Sequence, residues 1–328
     1  MQTKQQIVNL AQIEEEFVQR LIKTGKSINT VKNYRTDLGC FNSFVEKERP
    51  SKNIDDFELS HLEQYNSYLQ KKYSSNNSKR RRIQTLRMFF DFLVEKGLFA
   101  TNPVRKFQTS PKFLDIPRPA PFSDIKTLWE FLITEEKTTA SLSKLITMRN
   151  QILFLLIYGA ALKVSEIKNL KVKDVILPDN SSKANSLARV MINHSNRDPY
   201  TIPTPEIFTQ IFSNYILALN KQKELDGTIF DDLLFNANPY HILSGGLSAR
   251  GQEIIFEEFR KKLMLKITPK SLRQAAIFRW IRAGHKETQI KEWLGVVPSY
   301  SLRPYRDQLE TNIYNDEFML RIYKQLKL

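Results

Sequence analysis

The chain has 328 residues, and 50 lysines and arginines against 35 aspartates and glutamates leave a formal net charge of +15. At about 150 residues per domain, this length suggests two domains, each able to bury a core. Hydrophobic residues at 41 % and charged residues at 26 % argue against a disordered chain. The 10 glycines are too few for folds that cradle nucleotides in glycine turns. No G-x-G-x-x-G occurs, and Gly25-Lys26-Ser27 has Arg20 where a Walker loop needs glycine. Cys40 is the single cysteine, which excludes an intramolecular disulfide and a cysteine-based zinc site. His61, His194, His241 and His285 never fall at metal-ligand spacing, so no metal or other cofactor is expected. The longest apolar run, Ile152 to Leu162, is shorter than the ~20 residues a bilayer span requires. The N-terminus lacks the apolar stretch of a signal peptide, and a soluble, cytoplasmic protein with no membrane contact is expected. The basic surplus serves either solubility or a polyanionic partner, chiefly nucleic acid.

In chain order, the first hundred residues read as helices. Ile13, Phe17, Leu21 and Ile22 recur at helical spacing. After a loop and N-cap at Ser27 to Thr30, positions 31, 34, 38, 41, 44 and 45 form one apolar stripe. A third helix covers about Leu59 to Lys71, and a fourth runs from Ser78 through Leu98 until Gly97 and Asn102-Pro103 stop it. Between residues 71 and 87 lie Lys71, Lys72, Lys79, Arg80, Arg81, Arg82 and Arg87, with no acid. Such a run is either a solvated helix face or a contact surface for DNA phosphates. Pro103, Pro111, Pro117, Pro119 and Pro121 mark a stiff linker. A second domain starts near Phe122 and carries a buried helix over 149–162. Strands at 188–192 and 200–203 flank a polar turn, and helices continue from Glu206 to the C-terminus. The boundaries read are 1–102 for an N-terminal helical domain, 103–121 for the linker, 122–314 for a second domain and 315–328 for an amphipathic C-terminal helix.

Ser27 to Leu38, Arg80 to Phe92 with Asn102-Pro103, Tyr158 to Ile167, Thr268 to Gln274, and Trp293 to Val296 with Tyr305 together resemble the tyrosine recombinases, the family of phage integrases and Xer-type site-specific recombinases. Ser27-Ile28-Asn29-Thr30-Val31-Lys32-Asn33-Tyr34-Arg35-Thr36-Asp37-Leu38 is similar to the family's S-x-x-T-x-x-x-Y-x-x-D-L segment. Arg80 to Phe92, followed by Asn102-Pro103, resembles the end of its core-binding domain. Tyr158 to Ile167 resembles T-G-L-R-x-S-E-L, Thr268 to Gln274 resembles T-P-H-x-L-R-H, and Trp293 to Val296 with Tyr305 resembles L-L-G-H…Y. The resemblance implies a mainly α, two-domain DNA clamp: a SAM-like helical core-binding domain and an α+β catalytic-type domain with a small antiparallel sheet. It also implies double-stranded DNA as partner, a homo- or hetero-tetramer on that DNA, and a C-terminal helix that docks on a neighbouring protomer or on its own domain. Lys32, Arg35, Lys79, Arg80, Arg81, Arg82 and Arg87 are the candidate DNA-binding residues.

The family's reaction is attack of a tyrosine hydroxyl on a DNA phosphodiester. It yields a 3′-phosphotyrosine and a free 5′-hydroxyl, with two arginines clamping the phosphate and no metal or ATP. By resemblance Tyr305 is the nucleophile and Arg273 the second clamp arginine. Lys163 stands at the first clamp arginine, Lys270 at a histidine, Gln274 at another, and Val296 at a histidine or tryptophan. His194 aligns loosely with the family's β-turn lysine, with Arg197 the nearest other cation. Each also has a plainer reading: Tyr305 as a packing tyrosine, Arg273 as an ion-pair residue of Glu166 or Glu292, Lys163 as a cation ending a buried helix, His194 as a solvated turn residue. Lysine keeps the charge of arginine but loses its planar fork. Two functions follow: site-specific recombination by a divergent, catalytically impaired active site, or sequence-specific DNA binding by an architectural partner that no longer cleaves.

Overall fold

Helical spacing of apolar residues builds the first of two units, Met1–Leu114 and Asp115–Leu328, in the computed structural model. The structure describes residues 10–48, 57–107, 116–178, 187–194, 197–238, 242–311 and 326. In the first unit α1 spans Leu10–Lys23, α2 Ile28–Glu48, α3 Leu59–Lys72 and α4 Asn76–Glu95. The Ser27 hydroxyl accepts from the Thr30 amide at 3.2 Å, so α2 starts where the loop was expected to cap it. Val31, Leu38, Phe41, Phe44 and Val45 of the α2 stripe are buried. Phe41 meets Phe57 and Tyr65 at centroid distances of 5.2 and 5.3 Å, and Phe90 meets Phe57 at 5.1 Å. Aromatic rings are interleaved with leucines and valines in this core, and edge and tilted ring contacts contribute to its packing. The fourth helix is shorter than the periodicity suggests. It starts under a Ser75 cap and stops at Glu95, because Gly97 takes a left-handed φ of 74° that ends the spiral.

The expected linker is structured at both ends. Asn102 donates to the Arg87 carbonyl at 2.8 Å and to Asp91 Oδ1 at 2.7 Å, and accepts from the Val104 amide at 2.8 Å. Pro103–Lys106 is therefore a 3₁₀ turn of the first unit, with Val104 fully buried. At the other end the Ala120 amide donates to the Ser271 carbonyl at 3.0 Å, which attaches residues 116–121 to the second unit.

In the second unit, α5 (Phe122–Thr138) and α6 (Ser141–Phe154) lead into a wide turn at Leu155–Gly159 and the short α7 (Val164–Ile167). The single helix expected over 149–162 is thus corrected to a helix, a wide turn and a loop. The run from Ile152 to Leu162 is buried on every side, so apolar periodicity carries no signal for where it ends. β1 (Val175–Ile176), β2 (Arg189–His194) and β3 (Arg197–Pro203) form an antiparallel sheet with Val190 opposite Ile202. The strands run closer to the turn than expected. α8 (Phe208–Asp226) follows, then an antiparallel pair, β4 (Phe235–Ala237) and β5 (Leu243–Gly245), where only helices and loops were read. Three-residue strands are too short for alternation to reveal. α9 (Ala249–Leu263), α10 (Pro269–Arg282), α11 (Glu287–Trp293) and α12 (Arg303–Thr311) complete the described elements. The helix expected over 315–328 lies outside the described residues, except Leu326, which packs on the core of this unit. No helix among the described residues is long and apolar enough to cross a membrane.

One buried charge organises the first unit. Asp37, 2 % exposed, accepts from Arg81 Nη2 at 2.8 Å and from the Thr85 hydroxyl at 2.9 Å. Arg82 Nε lies 3.8 Å from the same carboxylate, and its guanidinium stacks 3.7 Å over the Tyr73 ring. Removing one partner of such a group leaves the other charge buried and unanswered, at a cost on the order of 3 kcal/mol. Asp37→Ala is therefore expected to lower stability by that amount in urea unfolding, with α2 and α4 losing amide-exchange protection together.

Candidate functional site

The chemistry-bearing end of the second unit begins at the loop after the wide turn. Ala161 sits at φ 51°, a left-handed conformation that costs a non-glycine residue about 1–2 kcal/mol. Its carbonyl accepts from Arg273 Nε at 2.7 Å. Two residues on, Lys163 precedes the first turn of α7 and does not end a buried helix, which corrects that reading. Its backbone amide donates to Glu166 Oε2 and its ammonium to Glu166 Oε1, both at 2.8 Å. Glu166 is only 8 % exposed and also lies 3.5 Å from the Tyr200 hydroxyl of β3. Arg273 is thus held by a backbone carbonyl, and Glu166 takes Lys163 instead.

α10 supplies the facing side. Thr268 caps it, accepting from the Ser271 amide at 3.0 Å, and Pro269 fills the first turn, where its missing N–H is harmless. Lys270 and Arg273, three residues apart, share one face of that turn. From α9 come Glu253, Phe256, Glu257 and Arg260, whose spacing also places them on one face. A cavity of about 430 Å³ is lined by Lys163, Lys270, Arg273 and Arg260, with Leu162 and Phe256 among its apolar walls. The two acids in the lining are engaged elsewhere: Arg250 Nη1 reaches Glu253 at 3.3 Å and Glu257 at 2.9 Å. Arg260, Lys270 and Arg273, with Lys163 beside them paired to Glu166, make a basic pocket next to a helix N-terminus that can hold an oxyanion group.

Of the five catalytic candidates, three therefore meet and two do not. Tyr305 is 6 % exposed on α12, packs on Phe278 with ring centroids 5.0 Å apart, and does not line the cavity. His194 ends β2 and is paired in register with Arg197 across the turn; its side chain lies outside the described residues. Gln274 is buried and accepts from the Arg118 amide at 3.0 Å, so it holds the segment before α5. Val296 packs on the core. Arg260 was missed: it sits in an ordinary helical run, and only its i, i+3, i+4, i+7 relation to Glu253 and its neighbours hints at a shared face.

The candidate DNA-binding residues of the first unit separate into groups. Arg82 is interior, donating to the Ser78 carbonyl at 3.0 Å, and is corrected from a surface contact to a structural cation. Arg87 bonds the Phe107 carbonyl at 3.1 Å and likewise fastens the chain. Arg35 and Arg81 are exposed but ion-paired, with Glu15 and Asp37 at 2.8 Å each. Lys32 is exposed, and Lys79 and Arg80 are half-buried. Four consecutive helical residues turn through some 300°, so a run of four basic residues must send at least one inward.

α12 is tethered to α11 by Glu287, which takes Lys291 at 2.9 Å and Arg306 at 3.1 Å. The Lys291 hydrogen bond, with Arg306 adding, holds the Glu287 carboxyl below its ordinary range despite slight desolvation. A lowered value means the tether acts above the ordinary carboxylate range and is lost as pH falls through the lowered one. Glu287→Gln is expected to speed amide exchange in residues 303–311 several-fold at neutral pH while leaving α9 and α10 unchanged.

The comparisons with known proteins fit this architecture. Residues 15–97 match the phage integrase, N-terminal SAM-like domain family. No curated protein matches the chain in sequence. Among solved structures, XerH site-specific recombinase on a palindromic difH substrate, in a post-cleavage complex, aligns with TM-score 0.66 at 14% identity, covering 92% of this chain and 82% of that one. A lambda integrase dimer bound to a COC′ core site aligns with TM-score 0.62 at 15% identity over 92% of this chain and 77% of that one. The Tn1549 transposon integrase in complex with circular intermediate DNA gives 0.58 at 15% over 90% and 98%. The chain thus carries a phage-integrase SAM-like domain at its N-terminal end and, across both units, the fold of the tyrosine recombinases.

Proposed function

We propose that this chain is a site-specific DNA recombinase or integrase that breaks and rejoins duplex DNA through a 3′-phosphotyrosine at Tyr305. The observation that carries this reading is the convergence of Lys163, Lys270 and Arg273 on one cavity within this fold. In the step proposed, the Tyr305 oxygen forms a bond to phosphorus and the bond from phosphorus to the 5′ oxygen breaks. The phenol gives up its proton, and the leaving 5′ oxygen gains one. The phosphoester energy stays in the protein–DNA link, so the free 5′-hydroxyl of another strand reverses the step. Arg273, anchored through Nε on Ala161, keeps its two terminal nitrogens for the non-bridging oxygens. Lys270 supplies a further positive charge and a proton donor. α12 has to move for this, because Tyr305 packs on Phe278 away from the cavity.

The DNA in the aligned XerH, lambda and Tn1549 structures, and the lambda integrase tetramer on a Holliday junction, support duplex DNA as substrate and a multimer as the working form. A second reading, DNA binding without cleavage, is favoured by that same packing of Tyr305. Nicked duplexes drawn from the DNA flanking the chain's own coding sequence separate the two. A denaturation-resistant protein–DNA adduct, absent in Tyr305→Phe, is the expected result; tight binding with no adduct on any duplex supports the second reading. Lys163→Arg, which restores a fork able to hold Glu166 and a phosphate oxygen together, is expected to raise the adduct rate about tenfold, within the range one positioned donor is worth.

A further inference from the structure

The pocket contains a guanidinium that the family resemblance does not assign. Arg260 lies near the C-terminal end of α9, half-buried, on the helix face that lines the cavity. α9 is fixed against α7 by Gln252, fully buried, which donates to the Val164 carbonyl at 3.3 Å. Phe256, also buried, forms the wall between that anchor and Arg260. The acids beside it on α9 are already taken by Arg250, and the Arg260 guanidinium has no ion pair among the described residues. A cation at this helix end also favours the helix dipole, but Lys261 and Lys262 share that position. Of the three, Lys262 bonds Glu135 at 3.0 Å, and only Arg260 lines the cavity.

Lys163, by contrast, has its ammonium committed to a buried carboxylate. A lysine offers one compact charge, and at 2.8 Å from Glu166 much of it is answered. The pocket therefore holds two guanidinium groups, Arg273 at a position that the resemblance assigns to an arginine and Arg260 at one that it does not. We propose that Arg260 is the second phosphate-clamping arginine of this chain, moved from the start of α7 to α9, so that Arg260 and Arg273 grip the scissile phosphate while Lys163 holds Glu166. The inference rests on reading the cavity as a phosphodiester site.

Two measurements on the full chain test it. The first is inorganic phosphate binding followed by ³¹P line broadening, which needs no DNA site and no chemistry. Arg260→Gln is expected to weaken phosphate at least tenfold with unchanged thermal unfolding, and Arg260→Lys to fall between. Unchanged phosphate affinity in Arg260→Gln overturns the proposal, whatever the enzyme does. The second is adduct formation on nicked duplexes. There Arg260→Gln is expected to lose on the order of 10²–10³ in rate, and Lys163→Arg in the same chain to recover at least a tenth of the wild-type rate. A wild-type adduct rate in Arg260→Gln overturns the proposal, and a double variant no faster than Arg260→Gln overturns the idea that the two positions share one duty. If wild type forms no adduct, the recombinase reading fails and the phosphate measurement alone decides the role of Arg260.

Discussion

Glu166 is a carboxylate with almost no access to water, and such a group has to be answered by donors or lose its charge. Its donors are the backbone and side chain of Lys163, with the Tyr200 hydroxyl at 3.5 Å. These bonds close the first turn of α7, and the Tyr200 hydroxyl brings a contact from β3 to the same carboxylate. Tyr200 in turn lies against Gly295 so closely that a Cβ there would overlap its ring, at 2.1 Å from the nearest carbon. Gly295 also has φ 56°, so it meets both a steric and a conformational requirement. One buried charge thereby links the loop that holds Arg273, the edge of the sheet and the end of α11.

The same carboxylate also sets what a lysine at 163 can offer the cavity. Arginine has five donors in a plane, enough to bind a carboxylate on one edge and a phosphate on another. Lysine presents three donors from one atom, and in this chain the nearest acceptor is buried Glu166. The positive charge survives, but its direction is set by the protein interior. In the function proposed, the grip on phosphate then falls to the guanidinium groups of the cavity, Arg260 and Arg273. Arg273 is oriented by a carbonyl that exists in that position only because Ala161 accepts a left-handed backbone. The site thus uses local strain to aim a side chain, a common arrangement where geometry matters more than stability.

Much of this was legible in the sequence. The four helices of the first unit follow from stripes such as Val31, Leu38, Phe41 and Phe44, because a helix buried on one side must repeat its apolar residues at 3.6. The meeting of Lys163, Lys270 and Arg273 in one cavity was implied by the resemblance of their blocks to the tyrosine recombinases. What was not legible has a physical cause in each case. A run buried all round, Ile152 to Leu162, hides its own break at the wide turn. The pairing of β4 with β5 depends on contacts six to ten residues apart, in strands too short to alternate visibly. Arg260 reaches the pocket through the packing of α9 on α7, which Gln252 sets, and no local pattern announces a tertiary contact of that kind.

Net charge is the coarsest of these signals, and the structure shows how it is filtered. A polyanion responds to the cations that reach it unpaired, since each ion pair removes a charge from the field it meets. In the first unit Arg82 is consumed by Tyr73, Ser78 and Asp37, and Arg87 by the Phe107 carbonyl. Arg81 shares its charge with Asp37, yet that ion pair also fixes its direction. An arginine fixed this way gives up part of its attraction and gains position, because its rotamers are settled before a phosphate arrives and less entropy is lost on contact. The surplus of +15 is therefore divided between cations that build the fold and cations that face outward. In each unit a buried carboxylate takes part in that division: Asp37 fixes Arg81 and Glu166 fixes Lys163, so the direction of each of these cations is set from the interior.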